Sequence, residues 1–99
     1  MSASSLARHP HRWLARIHVT LKPVVLDPQG DAVLSGLHHL GFTGVEAVRV
    51  GKYIEVTLEA HDEHAAQEDV RLMCERLLAN PVIERYDFTV ERAPLSVVV

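Results

Sequence analysis

The first regular pattern in the chain is an alternation of apolar and mostly polar residues, which is the two-residue period of a β-strand. The pattern begins near Trp13 and ends at Pro23. Its apolar members are Trp13, Ala15, Ile17, Val19 and Leu21. The alternation therefore predicts an opening strand with one buried face.

A helix is predicted to follow, from Asp27 to about Leu40. Asp27 suits the cap position because its carboxylate can accept from a free backbone N–H, and Pro28 suits the first helical position. Gly41 and Phe42 fit a C-terminal cap. The predicted apolar stripe consists of Val33, Leu34, Leu37 and Leu40. The helix is amphipathic and requires a surface that covers this stripe.

The middle of the chain contains two apolar runs, residues 45–50 and 53–60, on either side of Gly51-Lys52. The second run alternates strictly between apolar and polar residues. Two such runs around a short glycine-containing segment predict a β-hairpin.

A second helix is predicted over residues 62–79, ending before Asn80-Pro81. Its predicted buried stripe consists of Ala66, Val70, Met73, Cys74, Leu77 and Leu78. Residues 85–90 alternate again and predict a final strand.

The element order β-α-β-β-α-β predicts an α+β, ferredoxin-like sheet with both helices on one face. The second sheet face would then lack a cover, so that face or an edge strand is the expected surface of a homodimer. We expect a loose leader over residues 1–11, a single domain over residues 12–92 and an apolar tail over residues 93–99.

Composition narrows the class of protein. The chain has 99 residues, of which 47% are hydrophobic and 23% charged, with a formal net charge of -3. These values are typical of one globular domain and argue against a dedicated nucleic-acid binder, which would carry a basic patch. The single cysteine and the lack of a signal-peptide core or membrane-spanning run make the cytoplasm the expected compartment.

Candidate catalytic and metal-binding residues are few. His61 and His64 have the i, i+3 spacing that places two ligands on one helix face, but no third ligand is fixed by spacing, so surface exposure is the favoured interpretation. Cys74 lies in an apolar stripe, which favours a buried hydrophobic role over a nucleophilic one. The sequence offers no phosphate-binding loop or paired acid and base. We therefore predict no catalytic, cofactor-binding or metal-binding residues.

One polar cluster is a candidate interface with a partner. Its members lie at strand ends, turns or the start of the first helix, where binding residues are common. The cluster consists of Lys22, Asp27, Gln29, Arg49 and Lys52. The alternative for each residue is an ordinary cap or a solvated charge.

Several strings of residues together resemble one known family. They are VTLKP at 19–23, VLDPQG at 25–30, VEAVRVGK at 45–52 and MCERLLANPVIE at 73–84. In this order they are similar to the PurS family, over about residues 15–91. LDPQG and LANPVIE are the more specific strings. The leader and the apolar tail depart from the family pattern.

The resemblance implies a non-catalytic subunit of phosphoribosylformylglycinamidine synthase, a glutamine- and ATP-dependent ligase of purine biosynthesis. It implies that a glutaminase subunit releases ammonia and that a large synthetase subunit uses it together with ATP and magnesium. This chain, as a homodimer or higher oligomer, would join the two. Holding the sites together keeps ammonia from protonating and diffusing away in water.

Two other functions are compatible with the predicted fold. A ligand-sensing regulatory module would bind metabolites between paired sheets. An RNA-binding sheet would need exposed aromatic residues in basic surroundings, whereas the middle strands offer mainly Tyr53 beside Glu55 and Glu59. Neither a nucleic acid nor a membrane is an expected partner.

Overall fold

The computed structural model of the chain describes residues 10–94. The elements in this range, in chain order, are strand β1 (His11–Leu21), helix α1 (Pro28–His39), strand β2 (Gly51–Ala60), helix α2 (Glu63–Met73, continued by a π-helical turn, Cys74–Leu78) and strand β3 (Glu84–Arg92). This composition confirms the α+β class.

The described strands form a three-stranded antiparallel sheet in the order β2-β1-β3. In its middle, Ile17 of β1 lies opposite Ile54 of β2 and Phe88 of β3. The opening strand starts two residues earlier than predicted, since His11 already pairs with Ala60. His11 therefore belongs to the sheet and not to a leader.

The core lies between the central strand and α2. Ala15, Ile17 and Val19 of β1 are at most 1% exposed, and Val70 and Cys74 of α2 are completely buried. This burial confirms the predicted inner face of β1 and the predicted place of Cys74 in the core. Cores of this kind contribute stability through the apolar area they remove from water.

The predicted hairpin is wrong. Residues 45–50 form no strand in the structure, and Gly51 and Lys52 begin β2 where a turn was predicted. A Cβ at Gly51 would lie 2.6 Å from the Val19 carbonyl oxygen, so the glycine permits a close approach between β2 and β1. The described sheet accordingly has three strands where four were predicted.

Helix α1 has the predicted ends. Gly41 has a φ of 99°, its N–H donates to the His38 carbonyl (3.0 Å), and the Phe42 N–H donates to the Leu37 carbonyl (2.9 Å). This pair of bonds is the glycine-dependent cap that the sequence predicts. The predicted packing is wrong, however, because α1 extends away from the sheet and leaves Leu40 75% exposed. Of the two predicted helices, α2 covers the inner sheet face and α1 does not.

Helix α2 ends in a wider turn than an α-helix. The Ala79 N–H donates to the Cys74 carbonyl over 2.9 Å, a bond to the fifth preceding residue. The added residue in this turn changes which side chains face the core. Leu78 stays partly buried, whereas Leu77, which the sequence places in the buried stripe, is 82% exposed.

The outer sheet face carries charged side chains. Arg16 forms an ion pair with Glu91, and the His18 imidazole lies 3.5 Å from the Asp87 carboxylate. Tyr53 donates its hydroxyl proton to Glu55 over 2.7 Å.

Within residues 10–94, no helix has the length and apolar character needed to cross a bilayer.

Candidate functional site

The sequence-predicted polar cluster comes together at one end of the sheet. The loop after β1, the first turn of α1 and the segment that enters β2 meet there around an open cleft of about 260 Å³. The residues that line the cleft are Val19, Leu21, Asp27, Gln29, Val50, Gly51, Lys52 and Glu84.

Asp27 is the most buried member of the cluster, at 4% exposure. Its carboxylate accepts from the Gly30 N–H over 2.9 Å, which confirms the predicted helix cap, and also from the Val50 N–H over 2.8 Å. These two bonds, with Val50 making the larger contribution, hold the pKa of Asp27 below its ordinary value. One side chain thus joins the start of α1 to the start of β2.

Gly30 is part of this junction, although the sequence placed it only in the LDPQG string at the helix start and not in the polar cluster. A Cβ at this position would lie 2.3 Å from the Val48 carbonyl oxygen and 2.7 Å from the Asp27 carboxylate. A larger residue would therefore separate the helix from the returning chain. The sequence does contain a signal for this contact. A glycine in the first turn of a helix lowers helix propensity, which indicates that the position is kept small for another purpose, here the close approach of the backbone at Val48.

Arg49 completes the junction. Its guanidinium donates to the Lys22 carbonyl over 2.9 Å and to the Val25 carbonyl over 3.0 Å. It thereby ties the loop after β1 to the chain that enters β2. We call Asp27, Gly30, Arg49 and Val50 the clasp, because together they fix the base of α1 against the sheet.

The remaining members of the cluster lie around the clasp. The Lys22 ammonium donates to the Pro81 carbonyl over 2.8 Å. The Lys52 ammonium lies 3.4 Å from the Leu78 carbonyl and 3.8 Å from the Glu84 carboxylate, and its side chain stays 55% exposed. Gln29 is exposed on the first turn of α1. We call Lys22, Gln29 and Lys52 the rim.

The rim and the clasp have different chemical capacities. The buried Asp27 and the doubly bonded Arg49 have intramolecular partners and hold the local fold. In the rim, the Lys22 and Lys52 ammonium groups also have intramolecular carbonyl partners. Because an ammonium has three N–H donors, each keeps donors for carboxylates or backbone carbonyls of another protein, as does the exposed amide of Gln29.

The other candidate residues lie elsewhere. His61 and His64 are exposed at the start of α2, and Asp62 between them caps that helix by accepting from the Ala65 N–H over 2.8 Å. In residues 10–94, three or more metal-ligating side chains do not come together anywhere. Burial raises the pKa of the Cys74 thiol, with a smaller contribution from Glu75.

Comparison with known proteins gives a consistent result. Residues 14–92 match the family described as PurS, phosphoribosylformylglycinamidine (FGAM) synthase. The chain is 58% identical over 80 residues to the synthase subunit PurS of Synechocystis, covering 81% of this chain and 80% of that protein. It is 49% identical over 79 residues to PurS of Bacillus subtilis, covering 80% and 93%.

Solved structures agree with this similarity. The B. subtilis PurS structure superposes with a TM-score of 0.73 at 45% identity, covering 81% of this chain and 99% of that one. A chain of the PurLQS structure from Thermotoga maritima superposes with a TM-score of 0.74 at 32% identity, covering 81% and 98%.

Proposed function

We propose an assembly role for this chain, which belongs to the PurS family. It is a non-catalytic subunit of phosphoribosylformylglycinamidine synthase, a glutamine-dependent ligase of purine biosynthesis. In this role it joins the glutaminase subunit to the synthetase subunit, so that ammonia passes from one to the other without reaching bulk water. The similarity to a chain of PurLQS supports the presence of both partners. The synthetase subunit uses the ATP and magnesium.

The rim is the observation that carries this proposal. Lys22, Gln29 and Lys52 lie together at one end of the sheet, and the fold uses Asp27 and Arg49 beside them to hold the local backbone. A rigid base under exposed cations favours recognition of acidic or carbonyl-rich surfaces, because little side-chain or backbone ordering is left to oppose binding. We therefore assign a partner contact to the rim.

The proposal includes a homodimer in the cytoplasm. Exposed apolar residues on α1 support a second copy, since association would remove their surface from water. The cytoplasm is proposed because the one cysteine, Cys74, is a buried free thiol, so the fold needs no oxidising compartment for an intramolecular disulfide. We retain the division into leader, domain and tail, with the domain now starting at His11. Residues 1–9 and 95–99, which hold most of the leader and of the tail, lie outside the described residues.

Charge reversal tests the rim. We expect Lys22→Glu with Lys52→Glu to weaken assembly with the larger subunits about 10- to 100-fold, because the two donors become repulsive acids. The isolated protein should stay folded, since the lost bonds to backbone carbonyls are worth about 1 kcal/mol each. Analytical ultracentrifugation of the mixed subunits measures the effect.

The matched control is Arg12→Glu with Arg76→Glu, which changes the net charge equally at exposed positions outside the rim. The control should assemble like the wild-type protein. Normal assembly of the Lys22 and Lys52 variant at low salt would remove the rim from the partner interface.

A further inference from the structure

A second cleft lies at the same end of the sheet as the rim, but on the outer face. Its volume is about 300 Å³, and it is lined by Thr20, Leu21, Pro23, Arg49 and Arg85. Thr20 of β1 and Arg85 of β3 are direct partners across the sheet, so their side chains lie on the same face. This is the outer face, because their sequence neighbours Val19 and Tyr86 belong to the core. We call this site the arginine cleft.

One guanidinium of the arginine cleft is held in place by the backbone. Arg49 donates to the Lys22 carbonyl over 2.9 Å and to the Val25 carbonyl over 3.0 Å, with one bond from each terminal nitrogen. Because a guanidinium carries more N–H donors than these two bonds use, the others stay available to a ligand. The loop after β1 therefore positions donors at the wall of the cleft.

The second guanidinium has no acidic partner. Arg85 is exposed and forms no ion pair with any residue of the range 10–94. The nearby Asp87 carboxylate lies 3.5 Å from the His18 imidazole. Glu84 lines the first cleft, where its carboxylate lies 3.8 Å from the Lys52 ammonium. The Arg85 donors are therefore available to an anion from outside the chain.

The lining of the arginine cleft is positively charged. It contains two guanidinium groups and no carboxylate, although the whole chain has a formal net charge of -3. Asp27 of the clasp lines the first cleft, and its carboxylate accepts from two backbone N–H groups there. Two like charges that share one cleft repel each other, and an anion between them replaces this repulsion with attraction.

The charge and chemistry of the lining favour phosphate over carboxylate. Guanidinium groups bind phosphate oxygens through paired N–H donors, and a threonine hydroxyl can donate to a further oxygen. A phosphate monoester carries about -1.5 to -2 charges near pH 7, which balances two guanidinium groups, whereas a carboxylate leaves one of them uncompensated. The volume lies at the lower end of the roughly 300–1,000 Å³ of small-molecule pockets. The cleft therefore has room for a small group attached to the phosphate.

We propose that the arginine cleft binds the phosphate group of a small metabolite, held between Arg49 and Arg85 with the Thr20 hydroxyl as a further donor. None of the rim residues lines this cleft, and the inference does not rest on the assembly role. Because Arg49 also holds the loop after β1, a bound phosphate should stabilise that loop.

Calorimetric titration of the full chain tests the ligand class. The probes are glycerol 3-phosphate, inorganic phosphate and glycerol, at constant ionic strength because salt screens exposed charges. Both phosphate compounds should bind, glycerol 3-phosphate more tightly, and glycerol should not bind. Equal affinities of the two phosphate compounds would support the site and assign it to free phosphate. Failure of both to bind would overturn the proposal.

Single substitutions locate the bound phosphate. Arg85→Gln should lower the affinity for glycerol 3-phosphate about 10- to 100-fold, since it removes a charge-assisted donor pair. Arg85→Lys should restore only part of this affinity, because an ammonium lacks the paired donors. Arg49 is left unchanged because the clasp requires it. The matched control is Arg76→Gln, at an exposed arginine outside the cleft, which should bind like the wild-type protein. Equal affinities of Arg85→Gln and Arg76→Gln would contradict the proposed site.

A carboxylate of a larger subunit is the competing occupant of the arginine cleft. Sedimentation of Arg85→Gln with the larger subunits separates the two occupants. If neither phosphate compound binds and this variant assembles more weakly than Arg76→Gln, the cleft is a protein interface and the phosphate proposal is wrong. If phosphate binds and assembly is unchanged, the phosphate site stands, whatever the outcome for the rim.

Discussion

The carboxylate of Asp27 has two partners that belong to different parts of the chain. The sequence identifies the first, because an aspartate before proline at a helix start is a cap. The second, the Val50 N–H, is distant in sequence and is visible only in the folded chain. The same limit applies to Gly30 and Arg49, whose partners are backbone oxygens that residue type alone does not locate.

Substitution of two helix caps separates these roles. Asp62→Ala removes a cap alone and should lower the free energy of unfolding by about 1 kcal/mol. Asp27→Ala removes a cap and also leaves the Val50 N–H without its acceptor, so its loss should be larger. Urea unfolding at one protein concentration measures both variants. Equal losses would show that the bond to Val50 contributes nothing.

The pH dependence of the Asp27 variant follows from its lowered pKa. The folded-state pKa lies below the ordinary value of 3.8, so the stabilisation is complete above that value and is lost as pH falls through the folded-state pKa. The difference between wild-type and Asp27→Ala protein should be constant near neutral pH and shrink in acid below about pH 4.

At the scale of elements, local signals located the helices better than the second strand. Caps and stripes fixed both ends of α1, because capping depends on neighbouring residues. The apolar runs around Gly51-Lys52 have the composition of a hairpin, but the close approach of Gly51 to Val19 determines the path of the chain. Sequence patterns also cannot say whether a helix covers its own sheet or another copy's.

The π-helical turn at the end of α2 is a further element that periodicity does not reveal. An i, i+3, i+4 pattern assumes a constant turn, so it places Leu77 in the core, whereas the wider turn leaves it 82% exposed. Leu77→Ala should therefore change the free energy of unfolding by less than about 0.5 kcal/mol. Val70→Ala, at a completely buried position, should cost about 2 kcal/mol. Equal costs in thermal unfolding would contradict the altered turn.

At the scale of the whole molecule, residues 10–94 form a sheet whose inner face packs against α2, with α1 extending away from the sheet and a polar rim at one end. The family was accessible from the sequence, because short strings of residues such as LDPQG and LANPVIE are specific to it. The geometry of association was not, because it depends on which apolar surfaces the single chain leaves open. The proposed homodimer and the proposed rim contact assign those surfaces to a second copy and to the larger subunits.

The central claim is that this subunit couples two enzymes without performing chemistry itself. Its most direct test is the rate of product formation by reconstituted glutaminase and synthetase, with and without this chain, using either glutamine or ammonia as the nitrogen source. Without the chain, the glutamine-dependent rate should fall at least about tenfold because the two sites are no longer held together, while the ammonia-dependent rate should be retained. An unchanged glutamine-dependent rate without the chain, or an equal loss of the ammonia-dependent rate, would contradict the account.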